Sequence, residues 1–193
     1  MMSLSSNDLY GPRGVGALFV KKGVTLTPHM IGGGQESGLR SGSENVPGII
    51  GMARAASLME KEMSGEVVRF QKYRDRVIGE VLTQVPHSFL NGHPKERLVN
   101  NAHFRFDGIE GESLLLAMKD KGISVSTGSA CSSKTLEPSH TLIALGLLHE
   151  EAHGSMEITV GRFTRDEDIN KAIKVIPEVV LRLRNLSPLY KEE

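Results

Sequence analysis

Residues 5–20, SSNDLYGPRGVGALFV, decide how the chain is read as a fold. The first of them read as the end of a buried strand entering a tight turn, because Gly11 and Pro12 punctuate the backbone there. Val15 to Val20 is a short apolar run after that turn and reads as a buried strand. KKGVTLTPHM continues as a turn and an extended piece. Residues 31–48, IGGGQESGLRSGSENVPG, form a long glycine- and serine-rich loop, and loops of that length inside compact domains usually carry function or are disordered. One strand, one glycine loop and no partner strands cannot close a core. The opening residues are therefore expected to be a fragment of a larger sheet, and the chain the C-terminal part of a longer fold.

Working outward, the period becomes helical. Ile49, Met52, Ala53, Ala56, Met59 and Met63 recur at steps of three and four and predict a helix over 45–63. Ser64-Gly65 should break or bend it before a second helix over 66–85, with Val67, Phe70, Arg74, Val77, Ile78, Val81 and Leu82 on one face. After Pro86 the period changes again. SFLNGHP predicts a short strand and a turn. NNAHFRFDG predicts a strand with Ala102, Phe104 and Phe106 on one side and His103 and Arg105 on the other. His103 reads as a solvated or second-face residue. A helix over 112–121 should end at Gly122. ISVS reads as a strand, 138–148 as a helix opened by proline, SMEITVG as a strand, and 166–184 as a long helix that Pro177 should kink or restart. The order from residue 86 is β-β-α-β-α-β-α, an α/β sandwich with helices on one side of a small sheet. The expected division is 1–62, a remnant of a larger domain with its connecting helix, and 63–193, a smaller C-terminal α/β domain.

The 193 residues carry 23 basic and 23 acidic side chains and no net charge, which argues against a nucleic-acid partner. No apolar run reaches the length of a membrane span, and the opening residues do not read as a secretory leader, so secretion is not expected. The one cysteine, Cys131, has no intramolecular partner and no zinc-type spacing around it. A reducing, cytoplasmic setting fits best.

Cys131 lies in residues 125–140, VSTGSACSSKTLEPSH, among Ser126, Thr127, Gly128, Ser129, Ala130, Ser132 and Ser133. A loop of small polar residues does not bury a thiol as core, so an exposed nucleophile is expected. A free thiol ionises near pH ~8.5, and Lys134 and the following helix start are the local groups able to favour the thiolate. The plainer alternative is a surface cysteine with no role.

These residues resemble the C-terminal half of the cysteine desulfurases of the NifS/IscS type, in the class V aminotransferase superfamily. STGSACSSKTLEPSH is similar to the family's active-cysteine loop, and GGGQESGLRSGSENVPGIIG to its second glycine motif. YGPRGVGALFV, EGESLLLAM, GRFT and LRNLSPLY follow in order. The resemblance implies the end of the large domain and the small α/β domain of a pyridoxal phosphate (PLP)-dependent transferase of fold type I. It implies L-cysteine as substrate, a persulfide on Cys131, and sulfur passed to an iron–sulfur (IscU-like) scaffold or a thiolation acceptor. It also implies a homodimer, with Ser5, Ser6, Asn7 and Ser43 as cofactor-binding residues, Ser5 and Ser43 at the cofactor phosphate. Ser43 would reach the cofactor of the other subunit. A transient [2Fe–2S] cluster shared with the scaffold would take Cys131 as a ligand.

The chain departs from the family pattern in three places. Aligned on YGPRG, Asn7 takes the family's histidine position and Asp8 that of the PLP lysine. With no amine there, PLP is expected to be weakly and non-covalently held, or absent. Glu157 stands where the family places an arginine for the substrate carboxylate, while Arg162 belongs to another motif and reads as structural. The family's N-terminal half has no counterpart here. Two functional readings follow: a sulfurtransferase acting through Cys131 and incomplete as an isolated chain, or a non-catalytic scaffold-binding or dimerisation module.

Overall fold

The structure, a computed structural model, describes residues 1–127, 138–188 and 190. It divides into two compact units, Met1–Ser64 and Gly65–Glu193.

In the first unit the strand of residues 15–20 has a partner after all. Strand β1 (Met2–Ser5) pairs antiparallel with β2 (Gly16–Phe19), in the register Met2↔Phe19 to Ser5↔Gly16. Neither strand is buried in this chain, with Leu18 54% and Phe19 59% exposed. This corrects the buried, unpaired reading. The 31–45 loop folds on itself: Met30 and Arg40 form a parallel bridge, and the Gly42 N–H donates to Gln35 Oε1 at 3.1 Å.

Helix α1 (Val46–Gln84) runs 39 residues without the break expected at Ser64-Gly65. Gly65 costs helix propensity, but one such residue is outweighed by the turns on either side. Tyr73, Val77, Val81 and Val85 bury one face of its C-terminal half and the residue beyond.

The second unit is built on an antiparallel sheet in the order β3-β4-β5, of β3 (Ser88–Leu90), β4 (Asn101–Phe106) and β5 (Ser155–Thr159). β4 alternates as its sequence predicts. Ala102, Phe104 and Phe106 are buried, and Asn101, His103 and Arg105 only partly so. The buried face joins one core with the C-terminal half of α1, α2 (Gly111–Asp120) and α5 (Asp166–Leu186). α2 ends before Gly122, which holds φ 70°, a left-handed conformation that suits glycine.

Three elements differ from expectation. ISVS forms no strand, only a bridge from Ser126 to Glu157. The 138–148 helix is two short ones, α3 (His140–Ala144) and α4 (His149–His153), parted by Gly146 at φ 89°. α5 continues through Pro177 without restarting, since the ring lies in the core and the flanking Ile176, Val179 and Val180 are fully buried. Asp168 accepts from the Arg165 N–H at 2.9 Å and, with Asp166 and Glu167, places carboxylates at the helix start, where the dipole favours them. Among the described residues no helix is long and apolar enough to cross a membrane.

Candidate functional site

The turn after β1 is a short 3-10 helix, Ser6–Leu9, closed by Tyr10 in the left-handed region at φ 61°. The Ser6 N–H donates to the Val15 carbonyl at 2.9 Å, and the Gly11 N–H to the Ser6 carbonyl at 2.8 Å. Ser6 is fully buried and its hydroxyl has no hydrogen-bond partner. A Cβ on Gly11 would stand 2.4 Å from that hydroxyl, so only glycine fits beside it. Ser5, Asn7 and Asp8 are exposed, and Asn7 Oδ1 accepts from Arg13 Nε at 3.4 Å. Ser43 is exposed in the glycine loop next to buried Ser41, whose carbonyl accepts from Arg40 Nη1 at 3.0 Å. No hydrogen bond joins Ser43 to the 5–8 turn among the described residues.

The fit of this turn to PLP can be read from these facts. It offers an exposed hydroxyl at Ser5 and an amide at Asn7, but Ser6 turns its hydroxyl inward against Gly11, and no lysine lies between Ser5 and Leu9. Such residues do not fit a lysine-anchored cofactor.

Cys131 and Lys134, and the proposed role of Cys131 as catalytic residue and cluster ligand, lie outside the described residues. Both stems of that segment are described. Ser126 exchanges two backbone hydrogen bonds with Glu157, at 2.7 and 3.1 Å, and at the start of α3 the Ser139 carbonyl accepts from the Ile143 N–H at 3.1 Å. A cleft of about 380 Å³ is lined by Glu157, Asn101, His103 and Arg97, with Ser139 and Leu142 on the α3 side. Asn101 Nδ2 donates to Glu157 Oε1 at 2.5 Å. His103 faces Glu157 across the β4–β5 pair. Arg105 donates to Asn91 Oδ1 at 3.5 Å, which leaves the Asn91 amide to donate to His103 Nδ1 at 2.8 Å. Burial pushes the His103 pKa down, with Glu157 raising it and Arg97 lowering it by smaller amounts. His103 is thus a half-buried, bonded group and not a freely solvated one. Among the described residues no group of three or more His, Cys, Asp or Glu could hold a metal.

Two arginines that hold this unit together were missed from sequence. Arg69 donates to the carbonyls of Thr164 (2.6 Å) and Arg162 (3.0 Å), which ties the GRFT turn to α1. Arg184, 3% exposed, donates to the carbonyls of Asp107 (3.1 Å), Pro86 (2.5 Å) and His87 (2.9 Å). Each looks like an ordinary helix-surface charge in sequence, because its acceptors lie about ninety residues away.

The family model described as Aminotransferase class-V matches residues 1–171. The chain is 56% identical over 191 residues to a protein of Archaeoglobus fulgidus named Cysteine desulfurase IscS 1, covering 99% of this chain and 50% of that protein. It is 48% identical over 193 residues to Cysteine desulfurase IscS of Methanosarcina thermophila, covering 100% of this chain and 48% of the other. A solved structure titled NifS-like protein matches with a TM-score of 0.83 at 31% identity, over 94% of this chain and 46% of that one. The chain spans about half the length of the curated relatives it matches. Its α/β architecture is that of NifS-like proteins of PLP-dependent fold type I over about half of their length, consistent with a C-terminal part. The chain belongs to the aminotransferase class-V family.

Proposed function

We propose that the chain is the sulfur-carrying part of a cysteine desulfurase-type sulfurtransferase, with Cys131 as the residue that takes up and hands on sulfur. The observation that carries this reading is the likeness over 99% of this chain to a protein named cysteine desulfurase, which spans the segment holding the chain's one cysteine. The step needs no cofactor in this chain. The Cys131 thiolate attacks the outer sulfur of a donor persulfide, a new S–S bond forms, and the donor's S–S bond breaks with its electron pair leaving on the donor thiolate. Sulfur then passes to an iron–sulfur scaffold or thiolation acceptor by the same exchange.

The remaining parts of the proposal follow the family. L-cysteine is the ultimate sulfur source, and PLP is held weakly and without a covalent bond by Ser5, Asn7 and Ser43, while the Ser6 hydroxyl, turned inward against Gly11, is not part of that contact. The protein acts as a homodimer in the cytoplasm, and Cys131 also ligates a transient [2Fe–2S] cluster shared with the scaffold. The division at 1–62 and 63–193 separates a cofactor-side remnant from the sulfur-carrying domain. Intact-mass spectrometry after incubation with a persulfide donor tests the central claim. One added sulfur on the chain, absent in Cys131→Ala, is expected, and no added sulfur on the wild-type chain would sink it.

The exposed apolar pair β1–β2 favours a second reading, a non-catalytic binding or dimerisation module. Capture of a scaffold protein that survives Cys131→Ala, together with no persulfide uptake, would support it.

A further inference from the structure

At one end of the small sheet, Arg184 is a buried cation whose hydrogen bonds go to backbone. Its Nε, Nη1 and Nη2 each donate to a carbonyl, those of Asp107, Pro86 and His87. These carbonyls lie just before β3 and just after β4, so the guanidinium is fixed in place by the sheet itself. Its central carbon stands 4.6 Å from the centre of the Tyr190 ring. Burial lowers the Arg184 pKa, while Tyr190 and then Asp107 favour the charged form.

Two further residues shape a notch around that ring. Gly108 holds φ 76°, and a Cβ on it would stand 2.7 Å from Tyr190 Cβ and 2.9 Å from Cδ2, so a side chain there would shut the ring out. His87 meets the ring edge-on, with centroids 6.1 Å apart and planes at 74°. His87 itself holds φ 51°, a left-handed conformation that is costly for a residue with a Cβ. The ring reaches the notch because α5 stops at Leu186: Ser187 is extended, and Pro188 cannot continue the helix. A bare glycine floor, a fixed cation and an edge-on imidazole together select a flat ring with an electron-rich face.

We propose that this notch is a binding site for an aromatic side chain of the phenol type, filled in cis by Tyr190, which latches the segment after α5 onto the end of the sheet. An aromatic residue from elsewhere enters only when that latch lifts. The site is made wholly from the second unit and is independent of sulfur transfer at Cys131.

Tyr190→Ala in the full chain empties the notch, and p-cresol is the probe for it. Titration followed by the amide ¹H–¹⁵N shifts of His87 and Gly108 is expected to saturate. Binding should be about ten-fold tighter than for 4-methylcyclohexanol, which keeps the size and the hydroxyl and lacks the π face. The wild-type chain, with its notch filled, should show no saturable shift at those amides. Tyr190→Phe should keep the wild-type melting temperature, and Tyr190→Leu should lower it. No saturable binding to Tyr190→Ala, equal binding of the saturated alcohol, or equal binding of p-cresol to the wild-type chain would overturn the proposal. Should Tyr190→Ala fail to fold, the other two variants decide: a leucine variant as stable as the phenylalanine one overturns the proposal, and a less stable one supports it.

Discussion

Ser6 and Gly11 compete for one space at the turn after β1. The Ser6 hydroxyl is buried and unpaired, and a Cβ on Gly11 would meet it at 2.4 Å and the Ser6 carbonyl at 3.2 Å. Gly11→Ala is expected to cost about 1–3 kcal/mol by overpacking, read as a lower melting temperature. Ser6→Ala removes an orphan hydroxyl and should be neutral or stabilising, and it should recover part of the Gly11→Ala loss in the double variant. His103 makes the other single-residue prediction. Its folded pKa lies below the ordinary 6.5, so over that interval the unfolded chain binds more protons. Its contribution to stability is fully present above pH 6.5 and is lost as pH falls from there to the folded pKa. His103→Gln should therefore flatten the fall in stability on acidification, measured by urea unfolding across that window. The alternation of β4 was legible in sequence and put His103 on the right face. Its bond to Asn91, twelve residues away across β3 and β4, was not.

Among the elements, α1 departs furthest from its local signals. Ser64-Gly65 reads as a break, yet the helix runs through, and a Cβ on Gly65 would meet no heavy atom within 4 Å. Gly65→Ala should stabilise the chain by about 0.5–1 kcal/mol, because alanine loses less backbone entropy in a helix. A drop in the unfolding midpoint would show that Gly65 serves a bend that the continuous helix does not need. Pro177 teaches the same lesson in α5, where burial of the flanking residues keeps a helix whole through a residue that usually ends one. ISVS errs in the opposite direction. Its alternation is strand-like, but only Ser126 finds a partner on β5, and a strand without a ladder is not one. The cap at Gly122 was more dependable, with φ in the left-handed region as expected, whereas Gly146, also at positive φ, splits a stretch read as one helix.

For the molecule as a whole, the second unit carries the continuous core and the first exposes its strands. Phe104 lies at the centre of that core with no exposed surface, whereas Phe163 in the GRFT turn is 79% exposed. Phe104→Ala is expected to cost about 3–5 kcal/mol and Phe163→Ala less than about 1, compared by chemical denaturation. Equal losses would mean that Phe163 is covered by something in solution. The sequence by itself determined the class of fold, the helix and strand periods of the second unit, the glycine turns and the family, because these depend on local spacing and on motifs in order. Only the tertiary structure decided that β1 pairs with β2, that Arg69 and Arg184 fasten distant carbonyls, and that Glu157, Asn101, His103 and Arg97 line one cleft. Those facts join residues far apart in the chain, and no local period or propensity encodes which distant groups will meet once the apolar faces have packed.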